Sequence, residues 1–181
     1  MLSWLIRNRL AAFERKYDYD ITYVREILAT DRRAFFAFAR LSGLGAYRRD
    51  VPRDAYWAAK LVGTVAEDCG PCTQLTVAMA LDAGATPRVL ASVLGGQDAA
   101  LPDDVQLAVQ FARATLAHAA EADALREEIV RRWGPRAVIA LAFGIAAARM
   151  FPTIKYALGH GTACRRVTVA GEPVAVVRGA A

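Results

Sequence analysis

Thr64 to Gly84 reads TVAEDCGPCTQLTVAMALDAG, and the fold turns on what scaffold holds its Cys69-Gly70-Pro71-Cys72. Gly70 and Pro71 suit the first turn of a helix, where a proline gives up no helical hydrogen bond. After Cys72, Leu75, Met79 and Leu81 recur at helical spacing, and Gly84 supplies a stop. The dithiol is therefore expected at a helix start. Unpaired amides and the helix dipole stabilise a thiolate there. In a reducing compartment this spacing means redox chemistry or metal ligation.

Upstream, Ser3 to Lys16 has helical periodicity, Asp20 is placed to cap a second helix, and Thr30 a third. Pro52 opens the helix that runs to the dithiol. Downstream, from Thr73 to Leu158, the pattern stays helical, with a bend expected at Pro152. A thioredoxin fold needs parallel strands after its dithiol, and this excludes it. Only the tail alternates: Arg166–Val169 and Val174–Val177 are expected to pair as a hairpin within residues 165–178. The predicted class is all-α, one domain over residues 1–181, with a helical extension over 1–50, a dithiol-bearing core over 54–118 and a short C-terminal β-hairpin.

Composition narrows the function classes. With 55% hydrophobic and 23% charged residues the chain is neither disordered nor fibrous. The net charge of +5 is scattered as arginine pairs, such as Arg48-Arg49 and Arg131-Arg132, which reads as solvated surface and predicts no nucleic-acid partner. The most lipid-like run, Ala137–Ala148, falls short of the ~20 residues that span a bilayer and predicts a buried core helix, not a membrane partner. Arg7 and Arg9 interrupt the N-terminal apolar run, so no signal peptide is read and a cytoplasmic location is expected. Three cysteines, an odd number, argue against a secreted disulfide scaffold.

The succession of a helix into Cys69-x-x-Cys72, a dithiol helix with Ala80 and Gly84, and a short helix ending Val93-Leu94-Gly95-Gly96 resembles the carboxymuconolactone decarboxylase superfamily, in its alkylhydroperoxidase-D-like branch. The resemblance covers Asp54 to His118. It implies an alkylhydroperoxidase-D-like helical bundle and a cofactor-free antioxidant oxidoreductase. Such an enzyme reduces a small-molecule peroxide or a protein disulfide, takes electrons from an unidentified donor and assembles as a homo-oligomer. It also implies that Cys72 attacks and Cys69 resolves, whereas generic dithiol logic has the outer Cys69 attack.

The chain departs from that pattern at two places. The histidine one turn after the second cysteine is Thr76 here, and the glutamate about three turns before the first cysteine falls near Trp57. Candidate replacements are Glu67 and Asp68 beside the dithiol, and His160 in a glycine-bounded loop; Gln74, Thr76 and Tyr56 are weaker candidates. His118 reads as a helix C-terminal cap. Two alternatives stand beside the redox reading. One is a structural Cys3His zinc site from Cys69, Cys72, His160 and Cys164. The other is a redox-inactive helical binding protein that works as an oligomer.

Overall fold

Apolar residues at three- and four-residue spacing, punctuated by proline, glycine and aspartate, produce nine α-helices and one hairpin among the described residues of the computed structural model, which are 2–161 and 166–177. The all-α class with a short C-terminal hairpin is what the sequence predicts. Three helices come first: α1 (Leu2–Tyr17), α2 (Thr22–Thr30) and α3 (Arg32–Leu41). The chain then makes one 3-10 turn at Leu44–Ala46 and enters α4 (Arg53–Ala66), α5 (Gly70–Asp82) and α6 (Pro87–Leu94). Helices α7 (Asp103–Leu116), α8 (Glu121–Trp133) and α9 (Pro135–Ala157) follow, then β1 (Arg166–Val169) and β2 (Glu172–Ala175).

Side-chain hydrogen bonds shape the starts of α2 and α3 and correct one expectation. Asp20 accepts the Thr22 amide at 2.8 Å and so holds the first turn of α2. Thr30 does not cap α3, as expected from the sequence; it ends α2. Asp31 caps α3 instead, in an extended conformation, accepting the Arg33 amide at 2.7 Å. An N-cap needs non-helical backbone, and Thr30 is still helical, so the cap falls to the extended Asp31. His118 adopts a left-handed conformation just past α7, where a helix end reverses. Helix α9 continues through the buried Pro152.

The hairpin is also shifted. Its second strand is Glu172–Ala175, not Val174–Val177, because Ala170 and Gly171 both take positive φ and close a two-residue turn. That turn sets Val169 against Glu172 and Thr168 against Pro173. The amide and carbonyl of Thr168 point away from β2 and bond the Gln74 side chain, at 2.7 and 3.0 Å. Pro173 therefore sits where no ladder donor is needed. Val167 and Val169 are buried against the helices, and the Val177 amide is tied to the Leu94 carbonyl at 2.8 Å.

Helix α4 is the centre of the main core. Residues Ala55–Ala59 and Leu61–Thr64 are all buried, with α5, α6, α7 and α9 packed around them. Helix α9 comes close at Gly63. A Cβ there would stand 3.1 Å from the Ile145 carbonyl oxygen and 3.1 Å from the Ala148 Cβ. A smaller second core gathers Tyr19, Ile21, Tyr23, Val24 and Phe35, with Leu75 of α5 packed against it. The N-terminal extension is thus seated on the dithiol helix. Among the described residues, α9 is the one helix long and apolar enough to cross a membrane, and it lies along α4 and α8.

Because backbone faces Gly63 across the α4–α9 crossing, relief by side-chain movement is closed off there. Gly63→Val is expected to lower unfolding free energy by about 1–3 kcal/mol, the usual cost of overpacking, as read from urea denaturation.

Candidate functional site

The reversal from α4 to α5 takes only Glu67, Asp68 and Cys69. Asp68 makes it possible by adopting a left-handed conformation (φ 50°) that aspartate tolerates better than most residues. Helix α9 grips this loop from outside. The Tyr156 hydroxyl donates to the Asp68 carbonyl at 2.8 Å, and Arg149 donates to the Glu67 carboxylate at 2.5 Å, with the Thr153 hydroxyl 3.1 Å from its other oxygen. Cys69 then caps α5 in an extended conformation, and Pro71 occupies the first turn as expected.

Cys69 and Cys72 are joined as a disulfide, their Cα atoms 5.2 Å apart. Both residues are buried, 0% and 4% exposed. A hydroxyl meets the pair: Tyr19 Oη lies 3.6 Å from Cys72 Sγ. A disulfide sulfur carries no proton, so in this state the tyrosine donates.

Tyr19 comes from the far side of the chain. Asp18 ends α1 in a left-handed conformation and turns Tyr19 inward. Burial, reinforced by its coupling to the Tyr23 hydroxyl and by the nearby Asp20 charge, pushes the Tyr19 hydroxyl well above the usual phenol range. It therefore keeps its proton at neutral pH and serves as a donor. Beside it, the buried Lys155 of α9 places its ammonium 4.5 Å from the Tyr19 ring centre and 5.6 Å from that of Tyr23. Burial lowers the Lys155 pKa and the Asp20 carboxylate opposes that shift. The Asp20 carboxyl is itself held below its ordinary range, chiefly by hydrogen bonds from Thr22.

The other sequence candidates are placed elsewhere. Glu67 is the anchor of the α4–α5 loop, its carboxylate engaged by Arg149 and Thr153 rather than aimed at a sulfur. His160 pairs with Glu26 of α2 at 2.9 Å and stands near the Tyr23 ring, so it fastens α2 to the end of α9. Gln74 faces the hairpin, and Tyr56 donates to the Gly45 carbonyl at 2.7 Å. Thr76 bonds the Cys72 carbonyl at 3.0 Å and meets the Thr64 hydroxyl at 3.1 Å, a buried helix-to-helix contact. Of the zinc set, Cys69 and Cys72 are bonded to each other, His160 is on Glu26, and Cys164 lies outside the described residues. No group of three or more metal-ligating side chains occurs among the described residues.

Sequence reasoning missed Tyr19, Tyr23 and Lys155. Their only local signal was the aromatic-acidic run Tyr17-Asp18-Tyr19-Asp20 before α2, more than fifty positions from the dithiol in the case of Tyr19. No family model, curated protein or solved structure matches the chain.

In the reduced protein, the Tyr19 hydroxyl is positioned to stabilise a Cys72 thiolate. Tyr19→Phe keeps the ring and removes the donor; alkylation of Cys72 at pH 7 is expected to slow about tenfold, the worth of one hydrogen bond to a charged group. Glu67→Gln should leave that rate within about twofold, since a neutral amide can still accept from Arg149. Fragment-ion mass spectrometry of the peptide that carries both Cys69 and Cys72 assigns the label to one sulfur.

Proposed function

We propose that the chain is a dithiol–disulfide oxidoreductase that reduces a small peroxide through Cys69 and Cys72. The observation that carries this reading is the pair of sulfurs at bonding distance at the start of α5, with a protonated tyrosine against one of them. The resemblance of the helix–dithiol–helix succession to the alkylhydroperoxidase-D-like branch supports it. So does the helix start itself, since α5 presents its positive end to the dithiol.

The assignment of roles follows the hydroxyl. Cys72 is the attacking thiolate, because it is the sulfur that Tyr19 touches. Its lone pair takes the terminal oxygen of a hydroperoxide; the O–O bond breaks, the alkoxide takes up from solvent the proton that the Cys72 thiol released on ionising and leaves as an alcohol, and Cys72 becomes a sulfenic acid. The Cys69 thiol then displaces water from that sulfur and forms the Cys69–Cys72 disulfide. Two electrons pass from the dithiol to the peroxide. A small-molecule dithiol, compact enough to reach a covered sulfur, returns them by exchange through a mixed disulfide, which regenerates both thiols.

Burial bears on the substrate class. Exchange with a protein disulfide needs an in-line approach of a bulky partner to a sulfur, and both cysteines are covered. A peroxide of a few atoms needs far less displacement of the Tyr19 segment. A reducing compartment such as the cytoplasm would keep the pair cycling. Exposed Ile139 and Phe143, one turn apart on α9, support self-association of the chain.

Reduced protein should lose two of its three titratable thiols on stoichiometric peroxide and regain them with a dithiol reductant. Cys69→Ser is expected to stop at a sulfenic acid on Cys72 that a dimedone probe traps, and Cys72→Ser to react at least about a hundredfold more slowly. Failure to form a reversible Cys69–Cys72 disulfide would sink the proposal.

A further inference from the structure

A second cluster of chemistry lies on the other part of α4, built from residues that the redox reading does not use. Trp57 is buried, and its indole N–H is the one fully buried side-chain donor or acceptor without a partner among the described residues. An unmet buried donor costs on the order of 1–3 kcal/mol, so it calls for an acceptor. Two cations lie against the same ring: Lys60 Nζ is 5.0 Å and Arg48 Cζ 5.6 Å from its centre.

Among the described residues, neither cation has an anionic partner. The ion pairs among the described residues all involve other basic groups. Lys60 is half-buried and meets only the Gly45 carbonyl at 3.5 Å, an oxygen already taken by Tyr56 at 2.7 Å. Burial, and then the charge of Arg48, hold its ammonium down to a pKa of about 8. Two like charges thus lie against the ring whose N–H is unsatisfied. Arg48 is exposed and borders an open hollow of about 510 Å³ lined by Gly43, Ala46, Tyr47 and Arg49, so the Arg48 end of the cluster is open to solvent.

We infer that Arg48, Lys60 and the Trp57 indole N–H form a binding site for an oxyanion group, a carboxylate or a phosphate. Such a group would accept from the indole, neutralise both cations and offset the burial of Lys60. Both charges also lie within cation–π range of the ring. This inference stands independently of the redox reading: the site holds no sulfur, and its test is run on the oxidised protein.

The test follows the indole ¹⁵N–¹H resonances of the three tryptophans, with Trp57→Phe identifying the Trp57 signal. Sodium phosphate and sodium acetate are titrated separately, with chloride holding ionic strength constant. At least one of them is expected to move the Trp57 signal saturably while the Trp4 and Trp133 signals stay in place. A phosphate response names a phosphate group as the ligand chemistry, and an acetate response names a carboxylate. Arg48→Gln, a surface change that should fold normally, is expected to weaken binding at least about tenfold, and Lys60→Met similarly. The inference fails if neither anion moves the Trp57 signal, or if Arg48→Gln titrates like the wild type.

Discussion

Helix α4 is enclosed by four other helices, and that enclosure constrains everything around it. Its small residues, Ala55, Ala58, Ala59 and Gly63, let neighbours approach closely enough to leave no solvent face over most of its length. A helix buried all round cannot shift or rotate without opening voids on several sides, and interiors at crystalline packing density resist that. The α4–α5 reversal is consequently fixed in space at its α4 end. Arg149, Thr153 and Tyr156 of α9 fix it from outside. The two sulfurs sit at the end of this rigid hairpin, so their mutual geometry is a property of the core.

The same enclosure accounts for the polar groups that are left. Burying α4 along its length brings Trp57 and Lys60 inward with their apolar neighbours. The fold satisfies Tyr56 with the Gly45 carbonyl but leaves the Trp57 indole without an acceptor. At the opposite end of the helix, the Thr64 hydroxyl finds Thr76. Position 76, one turn after Cys72, thus carries a threonine whose hydrogen bonds join two helices. The polar contact to the dithiol comes instead from Tyr19, in the separate N-terminal core.

Local rules served well wherever the physics is local. The dithiol at a helix start, the proline-first helices and the glycine stop at Gly84 all depend on backbone groups within a few residues. The hairpin register was misjudged by two positions because Ala170 was not credited with a left-handed turn conformation that β pairing can impose. Glu67 and His160 have suitable chemistry and lie near a cysteine in sequence. Arginine and glutamate partners from α9 and α2 claim them instead.

What the sequence by itself determined is the list of helices, the all-α class and the placement of Cys69 and Cys72 at the first turn of α5. These follow from periodicity, caps and turn chemistry, whose interactions reach no farther than one or two helical turns. Only the tertiary structure decided which groups surround those sulfurs. Tyr19 and Lys155 lie far from Cys72 along the chain, and no spacing rule connects them. They meet because burying the small N-terminal core against α5 and α9 gains more than the chain loses in bringing distant segments together.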